Sequence, residues 1–272
     1  FDDFDVERSH NLVAARGKIA PIAPRYNFYA DPFFSADGSK IRAEALVGST
    51  GRGEIVELHA ESMEIERTML AGGHCSYPYT FEDAGREFVL PEVAGHEAPY
   101  LLEIADSPRK IRLAGLENLR LVDPSLVKVD GRYYLFGGDA GSAAGMLQLI
   151  VAEAATGPYR PHRMNPVVID PVRARMGGRL VTLDGKLYRF GQDNSDSYGN
   201  GIRVMEVLRI DPDLYEEREI GRMRFSDASG PHTVDIRNGR AVLDFYMDRF
   251  SFLAGYRRFA ARIHAWLIGK GA

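Results

Sequence analysis

The sequence has a single cysteine, Cys75, among its 272 residues. One cysteine excludes an internal disulfide and a thiolate metal cluster. The seven histidines are scattered and form no HExxH motif, so the sequence predicts no metal site and no cofactor. If an ion is bound, we expect calcium, held by oxygens near Asp193 and Asp196.

Long apolar runs and a strong excess of one charge are also missing. No apolar run approaches the roughly 18 residues that a membrane-spanning helix needs. The formal net charge is −4, so a nucleic acid is a poor candidate partner. Hydrophobic residues make up 45% of the chain, which is enough for a sizeable core. The first residue is Phe1 and not Met, so we expect the true start upstream; cellular location and oligomeric state stay open.

Apolar, β-prone runs that break at a two-residue turn and then resume occur five times along the chain. The turn glycines, at spacings of 47, 46, 54 and 54 residues, are Gly38, Gly85, Gly131, Gly185 and Gly239. Asp-Gly and Asn-Gly between alternating hydrophobic residues favour type I′ hairpins, because both central positions need a positive φ. Such a regular hairpin indicates one four-stranded sheet per repeat. The sequence therefore predicts an all-β fold, a five-bladed β-propeller.

The predicted blades cover residues 27–69, 73–113, 119–159, 165–219 and 221 to the end. Residues 1–272 are predicted to form a single domain. In the N-terminal segment 1–26, residues 11–19 are expected to add a strand to the last blade and close the ring. The last two repeats owe their extra length to the polar stretch 191–201 and to the tail, where 250–268 fits either a strand or a short amphipathic helix.

Two repeats carry an Asp-Pro pair at the same position upstream of the hairpin, Asp31-Pro32 and Asp123-Pro124. A propeller gathers the starts of its inner strands around one central cavity. Cleavage of a glycosidic bond needs a carboxylic acid and a carboxylate roughly 5–10 Å apart, which such a funnel can supply. In the alternative interpretation, each Asp only caps a turn while the proline fixes φ at the start of a strand.

Two glutamates extend this set of carboxylates. Glu92 ends an apolar strand of blade two, FVLPE, and is placed to reach the same cavity; its alternative role is a solvated turn residue. Glu44 lies in the middle of a strand, between apolar neighbours. It is either a buried carboxylate behind the site or an outward-facing one.

Polar and aromatic residues near the other strand starts complete a candidate sugar site. These substrate-binding candidates are His74, Ser76, Tyr77, Arg175, Gln192, Asp193 and His232. A sugar pocket needs an aromatic platform and many hydrogen-bonding groups. The alternatives are packing for Tyr77, a satisfied ring-closing side chain for His232 and a solvated basic face for Arg175. A functional Arg175 would indicate an anionic group on the ligand.

Several motifs, taken in chain order, resemble a known family. They are ADPFF, HCSYPYTF, LPE, DPSLVKVDGRYYLF, GPYRPHRMNPV, ARMGGRL, GQDNSDSYG and GPHTVD. Over about residues 27–248 the chain resembles the five-bladed propeller module at the N-terminus of plant glucosamine inositolphosphorylceramide transferases, a module also found in bacterial polysaccharide-biosynthesis and formyltransferase-associated proteins. The module is similar in architecture to five-bladed glycoside hydrolases, such as arabinanases and β-xylosidases, which place two Asp and one Glu around the axis.

This resemblance implies that Asp31 is a general base or nucleophile and that Asp123 orients the sugar and tunes its neighbour. We assign Glu92 as the acid from its position in this chain, because the hydrolases place their acid in a different sequence context. The first hypothesis is a glycoside-hydrolase-type enzyme that cleaves or transfers a glycosyl unit. The second is a non-catalytic module that binds a glycan or glycolipid headgroup and works with a separate transferase. Paired carboxyl groups across an open pocket favour the first, and a single carboxylate among aromatic residues favours the second.

Overall fold

The structure, a computed structural model, describes residues 12–13, 17–143, 145–195, 199–225 and 228–246. These residues form twenty β-strands. The strands are β1 (Leu12–Val13), β2 (Tyr26–Phe34), β3 (Lys40–Val47), β4 (Gly53–His59), β5 (Ile65–Leu70), β6 (Ser76–Asp83), β7 (Arg86–Glu92), β8 (Tyr100–Ile104), β9 (Arg109–Arg112), β10 (Leu121–Val129), β11 (Arg132–Asp139), β12 (Met146–Ala152), β13 (Arg160–Pro161), β14 (Val168–Ile169), β15 (Val181–Leu183), β16 (Lys186–Gln192), β17 (Ile202–Ile210), β18 (Tyr215–Arg224), β19 (Val234–Arg237) and β20 (Arg240–Leu243). None of the described residues forms a helix long and apolar enough to cross a membrane.

The strands form repeated sheets of neighbouring antiparallel strands. The first sheet has the order β2-β3-β4-β5, the second β6-β7-β8-β9, and the third β10-β11-β12-β13 with β14 beside β12. The fourth has the order β1-β18-β17-β16-β15, and β19 and β20 form a sheet of two strands. Inner strand β2 contacts both β6 and β19, and β6 contacts β10. The fold is an all-β propeller, which confirms the predicted fold class.

The number of complete blades differs from the prediction. The described residues complete four blades, whereas five were predicted; of the fifth, they include the β19–β20 hairpin. The boundary between the last two repeats was also misplaced, because β18 pairs with β17 as far as Met223 and so belongs to the fourth sheet. The tail segment 250–268 lies outside the described residues.

The N-terminal strand pairs with a different sheet from the predicted one. β1 runs parallel to β18, the neighbouring strand in the fourth sheet, with Leu12 opposite Met223. It was expected to join the last blade. By pairing there it covers an edge of the fourth sheet that would otherwise expose unpaired backbone groups.

Four of the five repeat hairpins have the predicted turn geometry. Both central residues have φ between 47° and 81° in the turns Ala84-Gly85, Asp130-Gly131, Asp184-Gly185 and Asn238-Gly239. The first turn is longer: Ser35 N–H donates to Lys40 O at 3.0 Å, and of its two predicted central residues Gly38 alone has positive φ. Asp37 stabilises this longer loop by accepting hydrogen bonds from Ser35 and Ser39.

An X-Pro pair interrupts each of the inner strands β2, β6 and β10. The strand register shifts at these pairs, and the residue before proline has a positive φ of 50° in Asp31, 44° in Tyr77 and 50° in Asp123. Proline cannot donate to a strand ladder, so these pairs leave the ladder as bulges. As a result, the three side chains before proline reach residues of other repeats.

The fourth repeat has Gly177-Gly178 in place of the X-Pro pair, and Gly178, at the position of the proline, has a φ of 136°. A Cβ atom there would lie 1.8 Å from the carbonyl oxygen of Val234. Only glycine therefore fits where the fourth and fifth sheets meet, at the bridge between Gly178 and Val234.

The largest hydrophobic core cluster lies between the first three sheets and extends into the fourth. It includes the buried residues Phe33, Tyr77, Tyr79, Phe88 and Phe136. Phe33 packs edge-to-face on Tyr77, with ring centroids 4.9 Å apart. This aromatic layer supports the polar residues at the strand starts.

Candidate functional site

Four acidic side chains from three sheets gather at the bulged strand starts. We call Asp31, Glu44, Glu92 and Asp123 the acidic cluster. Asp31, Glu44 and Asp123 are at most 7% exposed. The charge of Asp31 affects the pKa of Glu44, and the charge of Asp123 affects the pKa of Glu92. The structure thus brings together the three residues that the sequence predicted as catalytic, with Glu44 in addition.

Asp31 is held as a carboxylate. Its Oδ1 accepts a hydrogen bond from Thr233 Oγ1 at 2.7 Å and lies 3.2 Å from His232 Nε2. Burial alone would raise the pKa of Asp31, but the hydrogen bond and charge of His232 outweigh burial and hold the pKa below its usual value. The other oxygen, Oδ2, accepts no hydrogen bond from the described part of the chain.

His232 bridges Asp31 and Asp244, a residue that the sequence analysis did not identify. Its Nδ1 lies 2.8 Å from Asp244 Oδ2, while Nε2 faces Asp31. Burial would lower the pKa of His232, but the two carboxylates raise it well above its ordinary value. His232 was predicted to bind substrate. In the structure both of its ring nitrogens instead face protein carboxylates, which agrees with the alternative interpretation of a ring-closing side chain whose hydrogen bonds are satisfied within the protein.

Asp31, His232 and Asp244 also form a candidate metal-binding group in the described part of the chain, since their donor atoms lie within 4.8 Å of one another. The two nitrogens of His232 face different carboxylates, however, so the donors form a hydrogen-bonded chain and do not converge on one ion. The expected calcium position is also disfavoured, because Asp193 pairs with Arg203 Nε at 3.3 Å. Asp196 lies outside the described residues.

Asp123 is tied through one oxygen to the fourth repeat. Its Oδ2 accepts hydrogen bonds from Arg175 Nε at 2.5 Å and from Gln192 Nε2 at 3.2 Å. Its backbone N–H donates to Glu92 Oε2 at 2.9 Å. Burial raises the pKa of Asp123 against the opposing charge of Arg175. Arg175 and Gln192 therefore belong to the site as predicted, and both act on Asp123.

The two glutamates are held in the protonated form at neutral pH. Burial raises the pKa of Glu92 to about 8, and the charge of Asp123 adds to this effect. Burial and the charge of Asp31 raise the pKa of Glu44 to about 8 as well. Glu44 stands opposite Ala30, next to Asp31, in the ladder between β2 and β3. An acidic residue between apolar neighbours was the sequence signal for Glu44, but only the register shows which way it faces.

Tyr77 was predicted as a sugar platform but is not available as one, because it is 0% exposed. Its hydroxyl accepts a hydrogen bond from Gly178 N–H at 2.8 Å and lies 2.9 Å from Ser125 Oγ. Tyr77 occupies the same bulge position as Asp31 and Asp123. It links three repeats within the core, in agreement with the packing alternative.

The other predicted binding residues take different positions. Ser76 is buried opposite Glu92 in the strand ladder. The Asp193 carboxylate binds Arg203 and the N–H of Ser195 and does not contact the acidic cluster. Gln192 is fully buried, and its Oε1 has no hydrogen-bond partner among the described residues, which leaves an unused acceptor beside Asp123.

His74 lies between the acidic cluster and a separate cavity. Its Nδ1 accepts a hydrogen bond from Gly53 N–H at 2.9 Å, and its Nε2 lies 4.0 Å from Glu44 Oε1. The cavity, at the seam of the first and second sheets, has a volume of about 520 Å³. Its lining includes Arg52, His74, His96, Tyr100 and Lys110. His74 therefore contributes to the surroundings of Glu44.

A buried ion pair lies behind the cluster, and sequence reasoning did not find it. Arg179 Nε lies 2.5 Å from Asp235 Oδ1, and Asp235 Oδ2 accepts the N–H of Phe34 at 2.7 Å. The side chain of Arg179 is itself buried. The pair connects the first, fourth and fifth repeats and so stabilises the arrangement around the cluster.

Solved structures share this architecture. The catalytic domain of a GH62 α-L-arabinofuranosidase from Coprinopsis cinerea matches with a TM-score of 0.60 and 12% identity, over 88% of this chain and 90% of that chain. A thermostable family-43 glycoside hydrolase matches with a TM-score of 0.51 and 13% identity, over 69% of this chain and 73% of that chain. At such identities the likeness shows the propeller fold alone.

Comparison of sequences gives a more specific assignment than the shared fold. Glucosamine inositolphosphorylceramide transferase 1 of Arabidopsis thaliana is 28% identical over 208 residues, which cover 71% of this chain and 27% of the relative. The protein of the same name from Oryza sativa subsp. indica is 30% identical over 207 residues, covering 70% of this chain and 28% of the relative. The chain thus spans just over a quarter of the length of these curated relatives. The model of the family "Glucosamine inositolphosphorylceramide transferase 1, N-terminal" matches residues 11–233, and the chain belongs to this family.

Proposed function

We propose that the acidic cluster is a carbohydrate site of the glycoside-hydrolase type, which cleaves or transfers a glycosyl unit. One observation carries this proposal: Asp31 and Glu92 lie in one cluster but have their pKa values shifted in opposite directions. At neutral pH Asp31 is a carboxylate and Glu92 a carboxylic acid. Environments that separate the pKa values of two carboxyl groups supply a base and an acid for the same reaction.

In the proposed reaction, Glu92 gives its proton to the glycosidic oxygen as the bond to the anomeric carbon breaks. Asp31 either attacks that carbon directly or takes a proton from the water that attacks it. Asp123, fixed by Arg175, would accept hydrogen bonds from sugar hydroxyls through its remaining oxygen. Each of these residues thus has a separate role.

Glu44 is the competing candidate for the acid, because its pKa is raised to a similar value. We favour Glu92 because its side chain is partly exposed, whereas Glu44 is buried. A general acid has to come within hydrogen-bonding distance of the leaving oxygen. Glu44 then serves as a neutral neighbour that limits the negative charge around Asp31.

A second candidate function is binding without catalysis. It is favoured by the engagement of both aspartates with cations, Asp31 with His232 and Asp123 with Arg175. The relatives named as transferases are also much longer than this chain. A module that holds a glycan or glycolipid headgroup for a separate transferase needs rigid polar groups and no free base.

The test compares Glu92→Gln with the wild type on natural glycans and on activated aryl glycosides. Activated leaving groups need no proton, so the variant should keep turnover on aryl glycosides and lose at least about 10²-fold in kcat on natural substrates. Glu82→Gln, an exposed position on β6 of the same sheet, is the matched control and should behave as the wild type.

The other outcomes separate the candidates. Equal losses on both kinds of substrate would contradict the acid role of Glu92. Glu44 would then be the candidate for the general acid. Binding of a glycan by the wild type with no turnover of any substrate would support the binding module and overturn the catalytic proposal.

A further inference from the structure

Asp244 accepts three backbone hydrogen bonds around Asp31 and His232 and also contacts the ring of His232. Its Oδ1 accepts the backbone N–H groups of His232 and Thr233, both at 3.0 Å. Its Oδ2 accepts the backbone N–H of Asp31 at 3.0 Å and lies 2.8 Å from His232 Nδ1. Asp244 is itself buried, so each of these contacts is sheltered from water.

The contact with the Asp31 backbone compensates for the bulge. Asp31 has a φ of 50°, and its N–H is excluded from the ladder between β2 and β3. A buried N–H without a partner costs about 1–3 kcal/mol. By accepting this N–H, Asp244 stabilises the backbone conformation that directs the Asp31 side chain toward His232 and Thr233.

The contact with His232 affects the charge of the site. A single carboxylate beside an imidazolium forms a neutral pair, whereas two carboxylates around one imidazolium keep a net charge of −1. With Asp244 present, His232 can carry its proton and the group still keeps one negative charge for a reaction at Asp31. Thr233, which donates to the same oxygen of Asp31 as His232, fixes the rotation of the carboxylate.

We propose that Asp244 is a positioning residue, which fixes Asp31 both through its backbone and through a charged His232. The effect of Asp244 on catalysis rests on the function proposed above, whereas its effect on the backbone of Asp31 and on the charge of His232 does not. The competing interpretation is that Asp244 only joins the fifth sheet to the first and has no influence on the charge of His232.

The groups that affect titration of His232 come from several elements. They are Asp31 on β2, Glu44 on β3, Asp123 on β10 and Asp244 after β20, and Arg175 before β15 acts on Asp31 in turn. Asp244 and Asp31 contact the ring directly, at 2.8 and 3.2 Å. Among substitutions that leave Asp31 intact, removal of the Asp244 charge should therefore lower the pKa of His232 the most.

The experiment follows the histidine ring resonances by NMR from pH 5 to 10 in the wild type, Asp244→Asn and His232→Gln. His232→Gln identifies the His232 signal among those of the seven histidines. In the wild type the ring should stay protonated well past pH 6.5, the ordinary pKa of histidine. In Asp244→Asn the midpoint should fall by at least about one pH unit. Asp193→Asn, which removes an equally buried carboxylate paired with Arg203, should leave the midpoint unchanged.

A wild-type His232 that titrates at or below about pH 6.5 would overturn the proposal, and this measurement does not depend on the folding of Asp244→Asn. An unchanged His232 midpoint in a folded Asp244→Asn protein would also overturn the proposal. Asp244 would then only join the fifth sheet to the first.

If the wild type turns over a glycan, Asp244→Asn should lower kcat by at least about 10-fold with little change in KM. The acidic limb of its pH profile should also move to higher pH, because Asp31 loses its cationic partner. The double variant with His232→Gln should lose less than the two single losses combined, and fully additive losses would contradict an action through His232. If no glycan is turned over, the proposed function fails, while the NMR titration still decides the role of Asp244.

Discussion

Replacing Glu44 with Gln should remove a large part of the pH dependence of stability. Glu44 is buried in β3, and burial together with the charge of Asp31 raises its pKa to about 8. Gln has nearly the same shape and does not titrate. The variant therefore removes the proton equilibrium while keeping the packing of the strand.

The size of the effect follows from the shift in pKa between the unfolded and folded states. A rise from 4.5 to about 8 corresponds, at about 1.4 kcal/mol per pKa unit, to an upper limit of roughly 5 kcal/mol. Asp31, Asp123 and Glu92 share the same electrostatic environment, so we expect about 2–4 kcal/mol to belong to Glu44. Because the folded-state pKa is raised, this stabilisation is complete below pH 4.5 and is lost as the pH rises through about 8.

The assay is urea unfolding followed by circular dichroism at several pH values between 4.5 and 9. The free energy of unfolding of the wild type should fall relative to that of Glu44→Gln over this range, with an unchanged denaturant slope. Glu82→Gln, on the exposed face of β6, should run parallel to the wild type. Parallel profiles for Glu44→Gln and the wild type would refute the reasoning, because they would mean that Glu44 titrates normally.

Three further predictions concern the frame around the site. Gly178→Ala should destabilise the protein by about 3 kcal/mol or prevent folding, because the new methyl group meets the Val234 carbonyl; Gly185→Ala, which has open space, should cost only about 1 kcal/mol, and equal thermal shifts would contradict this account. Arg189→Met should cost about 3–5 kcal/mol in urea unfolding because it leaves the carboxylate of Glu217 buried without its main partner, and adding Glu217→Gln should recover part of the loss. Chelator treatment should leave glycan binding or turnover unchanged; a loss that zinc or calcium restores would contradict the hydrogen-bonded arrangement around His232.

Local sequence signals predicted much of the fold. Asp130-Gly131 and Asn238-Gly239 adopt the expected turn geometry because both positions of such a turn select residues that tolerate positive φ. The assignment of β1 to the wrong sheet has a different origin. Leu12 and Met223 are neighbours only because of tertiary packing, which a run of apolar residues does not specify.

The site was predictable where one motif carried both chemistry and geometry. Asp31 and Asp123 each precede a proline that forces a bulge, and both reach the cluster. Tyr77 shares the same local geometry, yet its hydroxyl binds Gly178, 101 residues away, so its burial could not be read from neighbouring residues. Asp244 was missed for the same reason, since it contacts the backbone of Asp31 across 213 residues.

The most direct test of the central claim compares the wild type with Asp31→Asn on one panel of glycans, assayed for both hydrolysis and binding. Asn keeps the shape of Asp31 and tolerates its positive φ, so the variant should fold and still bind the glycan. The account predicts that the wild type turns over at least one glycan and that Asp31→Asn loses at least about 10²-fold in kcat. Wild-type turnover in Asp31→Asn, or a wild type that cleaves no member of the panel, would contradict it.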